Sequence, residues 1–294
     1  MKKFQKILCL LMALTVFMCM AMGSGSSDES EGTSGLTSTQ ASNVGSEAIA
    51  IDEQVLLDRD GVKVTATEYV EDSIWGEGIK ILVENTSEKN IGVNCNAVIV
   101  NNFMITDLFS TSVAAGKKAN DTIYLSSGDL EAAGIDNVGQ VELYFHAYNS
   151  DTYDTIFDAD VVTVKTTAFE QMDTTVSEEG IVLYDANDVK VMGRYVSDDS
   201  FWGAAVLLYL ENNTEKNIVV SCENMSINGF MVTPYFHGDV YAGKMAVDEI
   251  TILSSDLEEN GITDIEDIEV SFHIYDSDTY DTIADSEPVS ITVG

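Results

Sequence analysis

Apolar and polar residues alternate along much of this chain, which is the pattern of half-buried β-strands. The alternation is sharpest in VELYFHAY, Val141 to Tyr148, where valine, leucine, phenylalanine and alanine share one face. Turn sequences rich in glycine, asparagine and aspartate separate such segments. In the first part of the chain, strands are predicted near 54–57, 62–70, 79–84, 91–100, 119–125, 139–148 and 160–166.

The pattern occurs twice. The same interval of 127 positions separates Trp75 from Trp202 and His146 from His273, and further pairs share it. Each copy also carries a short segment with a capping serine, early acids and a terminating glycine, which predicts a brief helix. Seven short strands per copy predict an all-β fold of two tandem immunoglobulin-like β-sandwich domains.

The chain begins with the pattern of an export signal, because Lys2, Lys3 and Lys6 precede an uncharged apolar run from Ile7 to about Met22. A polar, serine- and glycine-rich stretch follows and predicts a disordered tether. The connector between the copies is polar and lacks proline, so some independent movement is expected. The predicted organisation is a signal peptide (1–23), an acidic tether (24–51), a first domain (52–168), a linker (169–178) and a second domain (179–294).

Two processing sites remain open. Cys19 precedes a small-residue tether and resembles the lipid-acceptor cysteine of a bacterial lipoprotein, although Val16-Phe17-Met18 departs from the usual small residues. Ala21-Met22-Gly23 would instead suit cleavage of an ordinary secreted protein. Both alternatives place the mature protein outside the cytoplasm, either lipid-anchored at the cell surface or secreted.

The charge narrows the class of partner. Asp and Glu number 50 against 14 Lys and Arg, for a net charge of −36. Such a chain repels phosphate backbones and anionic lipid surfaces, so we expect no nucleic acid partner and no membrane contact except through a lipid anchor. An extracellular protein or a glycan is the expected partner.

The cysteines and histidines indicate structural positions. Cys95 and Cys222 occupy equivalent positions, one in each copy, and are predicted to be small buried hydrophobic residues. His146 and His273 lie on the polar face of their strands and are predicted to be surface residues, since zinc would need further ligands nearby.

Several motifs occur in both copies: VENTSEKNI and LENNTEKNI, NNFMITDLF and NGFMVTPYF, LSSGDLEAAGI and SSDLEENGI, and YNSDTYDTI and YDSDTYDTI. With these motifs the chain resembles a family of immunoglobulin-like domains found in exported, often lipid-anchored proteins of Gram-positive bacteria. The resemblance covers both copies. It implies extracellular sandwich domains of unknown ligand and supplies no catalytic residues.

Exposed aromatic residues are the first candidates for ligand binding. Trp75 and Trp202 lie in the turns SIWG and SFWG, where an indole could stack on a sugar ring or receive a peptide. The alternative is that each indole closes the open end of a core.

The segment Asn228 to Phe236 is strongly apolar, and its first half is predicted to be core. Its later part differs from the first copy, which indicates exposure and a second set of ligand-binding candidates: Tyr235, Phe236 and Tyr241, beside His237.

A repeated acidic loop is the candidate metal site. Asp276, Asp278 and Asp281 supply three carboxylates within six residues, and Asp151 and Asp154 occupy the equivalent positions in the first copy. Hard oxygen ligands at this spacing could bind calcium, although the glycine and distal glutamate of an EF-hand are missing. The alternative is a turn whose side chains cap their own backbone.

No catalytic motif is present in the sequence, and we expect no enzymatic activity. The leading hypothesis is a non-catalytic envelope protein, a tethered binding or spacer module of two duplicated sandwiches. One alternative is a calcium-stabilised adhesin, with calcium as its cofactor. A second is a hydrolase of envelope polymers that uses carboxylates near Trp75 or Trp202.

Overall fold

The computed structural model describes residues 48–293 except 73–74, 107, 173, 175–179 and 197–203. The predicted signal peptide, the tether up to residue 47, Cys19 and Trp202 lie outside the described residues. No described helix is long and apolar enough to span a lipid bilayer.

The described residues of the first copy form ten strands and one short helix. The capping serine of the helix is Ser126, whose hydroxyl accepts a hydrogen bond from the Asp129 N–H. The elements are β1 (Gln54–Arg59), β2 (Val62–Asp72), β3 (Gly76–Asn85), β4 (Ile91–Val100), β5 (Phe103–Ile105), β6 (Ser110–Val113), β7 (Lys118–Tyr124), α1 (Ser127–Ala132), β8 (Gln140–Asn149), β9 (Thr155–Asp158) and β10 (Val162–Lys165).

The second copy repeats these elements in the same order, after a 3-10 turn at Phe169–Gln171. They are β11 (Ile181–Ala186), β12 (Val189–Val196), β13 (Ala205–Asn212), β14 (Ile218–Ile227), β15 (Phe230–Val232), β16 (His237–Val240), β17 (Met245–Thr251), α2 (Ser254–Glu259), β18 (Asp267–Asp276), β19 (Thr282–Asp285) and β20 (Val289–Thr292).

Each copy is a β-sandwich with its own core, so the predicted all-β fold is confirmed. In the first, the sheet β1-β2-β3-β7 packs against β10-β8-β4-β5, and residues such as Ile81 and Phe145 are almost fully buried between the sheets. In the second, β11-β12-β13-β17 packs against β14 and β18, around Leu208 and Phe272.

The two sandwiches share a sheet, which the sequence did not predict. β5 of the first pairs in parallel with β17 of the second, joining Phe103 to Met245 and Met104 to Ala246. The pairing makes one ten-stranded sheet from parts of both copies. The expected independent movement across the linker is therefore wrong for this structure, because main-chain hydrogen bonds connect the halves directly.

A buried asparagine explains the repeated NTSEKN and NNTEKN motifs. Asn85 is 1% exposed, and its amide nitrogen donates to the carbonyl oxygens of Lys89 and Val113 at 2.7 and 2.9 Å. Asn212 makes the equivalent bonds in the second copy, to Lys216 at 2.8 Å and Val240 at 2.9 Å. Each asparagine thus fastens the turn after one strand to the opposite sheet, where unpaired carbonyl groups would be costly.

Sequence reasoning missed β5, β6 and β9, strands of three or four residues in which an alternation is hard to recognise, although it predicted β10 of the same length. The core prediction for the segment after β4 is confirmed in the first copy, where Phe103 and Ile105 are buried. It is wrong in the second copy, where Phe230 and Met231 are 48% and 65% exposed. Burial of this motif depends on what packs beside it.

Candidate functional site

An open groove lies beside β7 of the first sandwich and has a volume of about 530 Å³. Trp75 is 64% exposed in the turn before β3, and its ring centroid lies 6.1 Å from that of Tyr124. Leu108, on the connection between β5 and β6, is 93% exposed. The remaining lining is Thr106, Phe109, Ser110, Asp121, Thr122, Leu125, Ser126 and Ser127. We call this surface the Trp75 groove.

Local backbone contacts present the indole to solvent. The Trp75 N–H donates to Asp72 Oδ1 at 2.9 Å, which ties the turn to the end of β2. Thr122 and Tyr124 are two residues apart on β7 and share one face of the strand. For Trp75, the interpretation of an indole closing the core is wrong. The candidate role as an exposed ligand-binding side chain stays open.

The second sandwich has a smaller groove of about 380 Å³ in the equivalent place, lined by Tyr235, Glu249, Thr251 and Leu253. These four residues occupy the positions of Leu108, Thr122, Tyr124 and Ser126 in the first copy. Tyr235 is 61% exposed, as the sequence predicted. We call this surface the Tyr235 groove; the structure thus places two of the predicted ligand-binding residues in corresponding grooves of different sandwiches.

The sequence predicts Phe236 and Tyr241 to be exposed, and the structure corrects both. Phe236 is half-buried and packs against the second core. Tyr241 is half-buried against the first sandwich: its ring packs edge-on to Tyr144, with centroids 4.9 Å apart, and its N–H donates to Met104 Sδ at 3.1 Å. Burial raises the pKa of the Tyr241 hydroxyl. Tyr241 therefore joins the sandwiches.

A nearly buried ion pair strengthens the same joint. Lys244 Nζ lies 2.7 Å from Glu142 Oε1, with 16% and 10% of the two side chains exposed. The ammonium also donates to Asn102 Oδ1 at 3.1 Å. Away from this pair, the Tyr209 hydroxyl donates to the carbonyl oxygen of Ala132 at 2.8 Å. These contacts set the orientation of the two grooves.

The acidic loop of the second copy is held by its own hydrogen bonds. Asp276 Oδ1 accepts from the N–H groups of Asp278 and Thr279 at 2.9 and 3.2 Å, and Lys216 Nζ lies 2.8 Å from Asp276 Oδ2. The lysine and these N–H groups lower the pKa of Asp276 to about 2. Asp281 accepts from the Thr279 hydroxyl at 3.1 Å. This is the geometry of the self-capped turn.

In the first copy, Asn149 Oδ1 accepts from the Asp151 N–H at 2.9 Å, and Asp154 accepts from the Thr152 hydroxyl at 2.8 Å. Asp151 accepts from Asn90 Nδ2 at 3.1 Å. Over the part of the chain that the structure describes, no group of three or more histidine, cysteine or acidic residues is arranged to hold a metal ion. The calcium site stays a prediction.

Sequence reasoning missed a ladder of aromatic rings on the polar face of β8. The ring centroids of His146 and Tyr148 are 5.7 Å apart, and those of Tyr148 and Tyr153 are 6.1 Å apart. His146 Nδ1 lies 2.7 Å from Asp158 Oδ1, and this contact lowers the pKa of Asp158. The second sandwich repeats the ladder with His273, Tyr275, Tyr280 and Asp285.

The outermost ring of each ladder is the most accessible: Tyr153 is 78% exposed and Tyr280 is 76% exposed. The sequence signal was present, because residues two apart on a strand lie on the same face. It places His146 and Tyr148 on one face of β8, but it does not predict that Tyr153, in the turn after the strand, stacks on them.

The cysteine thiol of the second copy is not activated. Cys222 is half-buried, and burial raises its pKa to about 12. A thiol with so high a pKa is a poor nucleophile at neutral pH. Cys95 is also half-buried, so both cysteines are less buried than the sequence predicted.

Comparison with known proteins finds no matching family model and no matching curated protein. Among solved structures, the chain is similar to the Salmonella enterica SafA pilin in complex with the SafB chaperone, with 12% identity, a TM-score of 0.20, and coverage of 74% of this chain and 89% of that one. It is also similar to the CsuC-CsuE chaperone-tip adhesion subunit pre-assembly complex of Acinetobacter baumannii archaic chaperone-usher Csu pili, with 11% identity, a TM-score of 0.21, and coverage of 74% and 92%. Likenesses this weak assign no function to the chain.

Proposed function

We propose that this chain is a non-catalytic extracellular binding module, and that each sandwich uses one groove to hold an extracellular protein. The observation that carries the proposal is the recurrence of a groove at equivalent positions, around Trp75 in the first copy and Tyr235 in the second. Exported β-sandwich domains of this kind, anchored by lipid at Cys19 or secreted, would present both grooves outside the cell.

The chemistry of the Trp75 groove favours a protein partner. Tryptophan, tyrosine and leucine side chains that protrude from a surface suit an apolar anchor residue of another protein, and tryptophan and tyrosine dominate binding energy at protein interfaces. Thr122 and Ser126 line the same groove, and their hydroxyl groups can form hydrogen bonds with a ligand. The net charge of −36 favours a partner with basic residues around its anchor.

The joint between the sandwiches adds a geometric argument. Strand pairing between β5 and β17, together with the Lys244–Glu142 ion pair, holds the two grooves in one arrangement. Two weak sites in a fixed arrangement bind a repetitive partner more tightly than either alone, because the second contact is intramolecular.

The test is selection of a displayed random peptide library against the purified protein, followed by calorimetry with the selected synthetic peptides. We expect peptides with an aromatic or aliphatic anchor next to lysine or arginine. The double variant Trp75→Ala/Leu108→Ala should weaken binding of those peptides at least about tenfold.

The matched control is Val55→Ala/Val161→Ala, which removes two exposed aliphatic side chains of the same sandwich outside the groove. It should leave peptide affinity unchanged. The proposal is wrong if no peptide is selected, or if selected peptides bind the groove variant as tightly as the parent protein.

A second candidate function, glycan binding, rests on the aromatic ladders. Exposed tyrosines at the tip of stacked rings offer flat apolar faces, and the carboxylates beside them favour neutral over anionic sugars. Electrophoresis through gels containing neutral polysaccharides tests this candidate. Tyr153→Ala/Tyr280→Ala should abolish any retardation, whereas the groove variant should not.

A further inference from the structure

The joint between the sandwiches is made of two different surfaces. β5 contributes Phe103, which is 1% exposed, and β17 contributes Met245, which packs against the first core. The Met245 N–H donates to the carbonyl oxygen of Asn102 at 3.0 Å. A contact between unlike surfaces is heterologous, and each sandwich has the counterpart of the surface that it does not use here.

Both counterparts lie at sheet edges within the part of the chain that the structure describes. β15, the equivalent of β5, pairs only with β14, and β7, the equivalent of β17, pairs only with β3. Phe230 and Met231 on β15 are 48% and 65% exposed. Exposed apolar side chains on an edge strand, which has a neighbour on one side only, favour pairing with another strand on the open side.

The ion pair of the joint also has counterparts near these edges, one just before β7 and one on β18, two strands from β15. Lys117 and Glu269 occupy the positions of Lys244 and Glu142, and both are exposed. Neither takes part in an ion pair among the described residues. The turn before each lysine is also the same, with Gly116 and Gly243 at φ 67° and 68°.

We propose that β15 of one molecule docks on β7 of a second copy of this chain, in parallel, and so repeats the internal joint between molecules. Lys117 of the second copy then pairs with Glu269 of the first. Because the two surfaces differ, the contact does not close on itself. Successive molecules form an open head-to-tail series.

Sequence differences make this contact weaker than the internal joint. Lys118 stands at the position of Met245, and a lysine on an edge strand opposes pairing. Ala114 and Ser271 stand at the positions of Tyr241 and Tyr144, so the aromatic contact is missing. Association is therefore expected only at high protein concentration, and Lys118→Met should strengthen it.

Sedimentation velocity and light scattering of the purified protein over a range of concentrations, at about 150 mM salt to screen its net charge, provide the test. The parent protein should show a concentration-dependent series beyond the dimer. Lys118→Met should raise the association constant at least about tenfold through added apolar contact.

Charge exchange identifies the contact. Lys117→Glu alone and Glu269→Lys alone should each weaken association about tenfold, and the double variant should restore it. An equimolar mixture of the two single variants should also restore the series, with the variants alternating, because both mixed joints carry opposite charges and both like-with-like joints carry equal ones. Lys89→Glu, an exposed charge reversal in the turn after β3, is the matched control.

Circular dichroism melts verify that each variant is folded. Monomers at every concentration for both the parent protein and Lys118→Met would overturn the proposal. An association constant that does not change with the charge substitutions would also overturn it, as would a closed dimer of the parent protein.

Discussion

The two sandwiches contain the same elements, but their equivalent strands β17 and β7 carry side chains of opposite polarity. On β17, Met245 and Val247 pack against the first core, whereas the equivalent residues of β7 are Lys118 and Asn120. Lys118 instead pairs with Glu84. One strand position is thus apolar where a neighbouring sandwich covers it and polar where it faces water. The contrast shows that the copies have diverged by their place in the chain, while the fold has stayed the same.

The acidic loops show the same kind of divergence. Asn149 in the first copy and Asp276 in the second occupy one position, and both accept a hydrogen bond from the N–H two residues later. Only Asp276 adds an ion pair, with Lys216. At this position the turn therefore requires a side-chain oxygen that accepts a hydrogen bond. The negative charge of Asp276 is an addition specific to the second sandwich.

The largest expected effect comes from breaking the joint. Lys244→Met leaves Glu142, only 8% exposed, without its cation, which should lower the free energy of unfolding by about 3 kcal/mol. Urea denaturation measures the change. The equivalent substitution Lys117→Met, at an exposed lysine, should change it by less than about 0.5 kcal/mol. If the two substitutions lower the free energy of unfolding equally, the difference between the covered strand β17 and the exposed strand β7 is contradicted.

The buried asparagines should behave alike in both halves. Asn85→Ala removes the donor to two carbonyl groups and Asn212→Ala removes the donor to three, and each should cost about 2 kcal/mol, with Asn213→Ala as a neutral, exposed control. If the shared sheet couples the halves, either substitution shifts one common urea transition. Two separate transitions, each sensitive to one substitution, would show that the sandwiches unfold independently.

Asp276→Asn gives the acidic loop of the second copy the asparagine that the first copy has at Asn149. The folded-state pKa of Asp276 is lowered from its ordinary value of 3.8 to about 2. Its ion pair therefore stabilises the folded protein at pH values above 3.8, and this stabilisation is lost as the pH falls towards 2. Thermal melts should therefore show the variant less stable than the parent at pH 7 and equal to it near pH 2. A difference that persists at pH 2 would assign the effect to lost hydrogen bonds instead.

The smallest expected effect is that of calcium. The Asp276 carboxylate is already engaged by Lys216 and two N–H groups, so calcium or a chelator should move the melting midpoint by less than about 1 °C. A calcium-dependent rise that Asp281→Asn abolishes would establish a calcium site in this loop, as the adhesin alternative requires.

Much of the fold could be predicted from particular sequence patterns. The alternation in 91–100 predicted β4 with its observed ends, and the serine, acid and glycine signals predicted both short helices. The predicted serine cap of the second helix is wrong, because Leu253 stands at its N-cap without a side-chain hydrogen bond. The candidate sites were harder to predict from the sequence. Tyr235 is exposed as predicted, and a turn decides between the two interpretations of Trp75 by exposing its indole, but Tyr241 differs from expectation because the neighbouring sandwich, rather than residue type, sets its exposure.

By itself, the sequence determined two copies of a strand pattern with separate apolar interiors, because each strand assigns alternate side chains to opposite faces. Only the tertiary structure decided how the copies meet. Phe103-Met104 and Phe230-Met231 carry the same residues, yet one pair lies beneath β17 and the other at an open edge. That difference arises from pairing between residues far apart in the chain, which a local pattern does not encode.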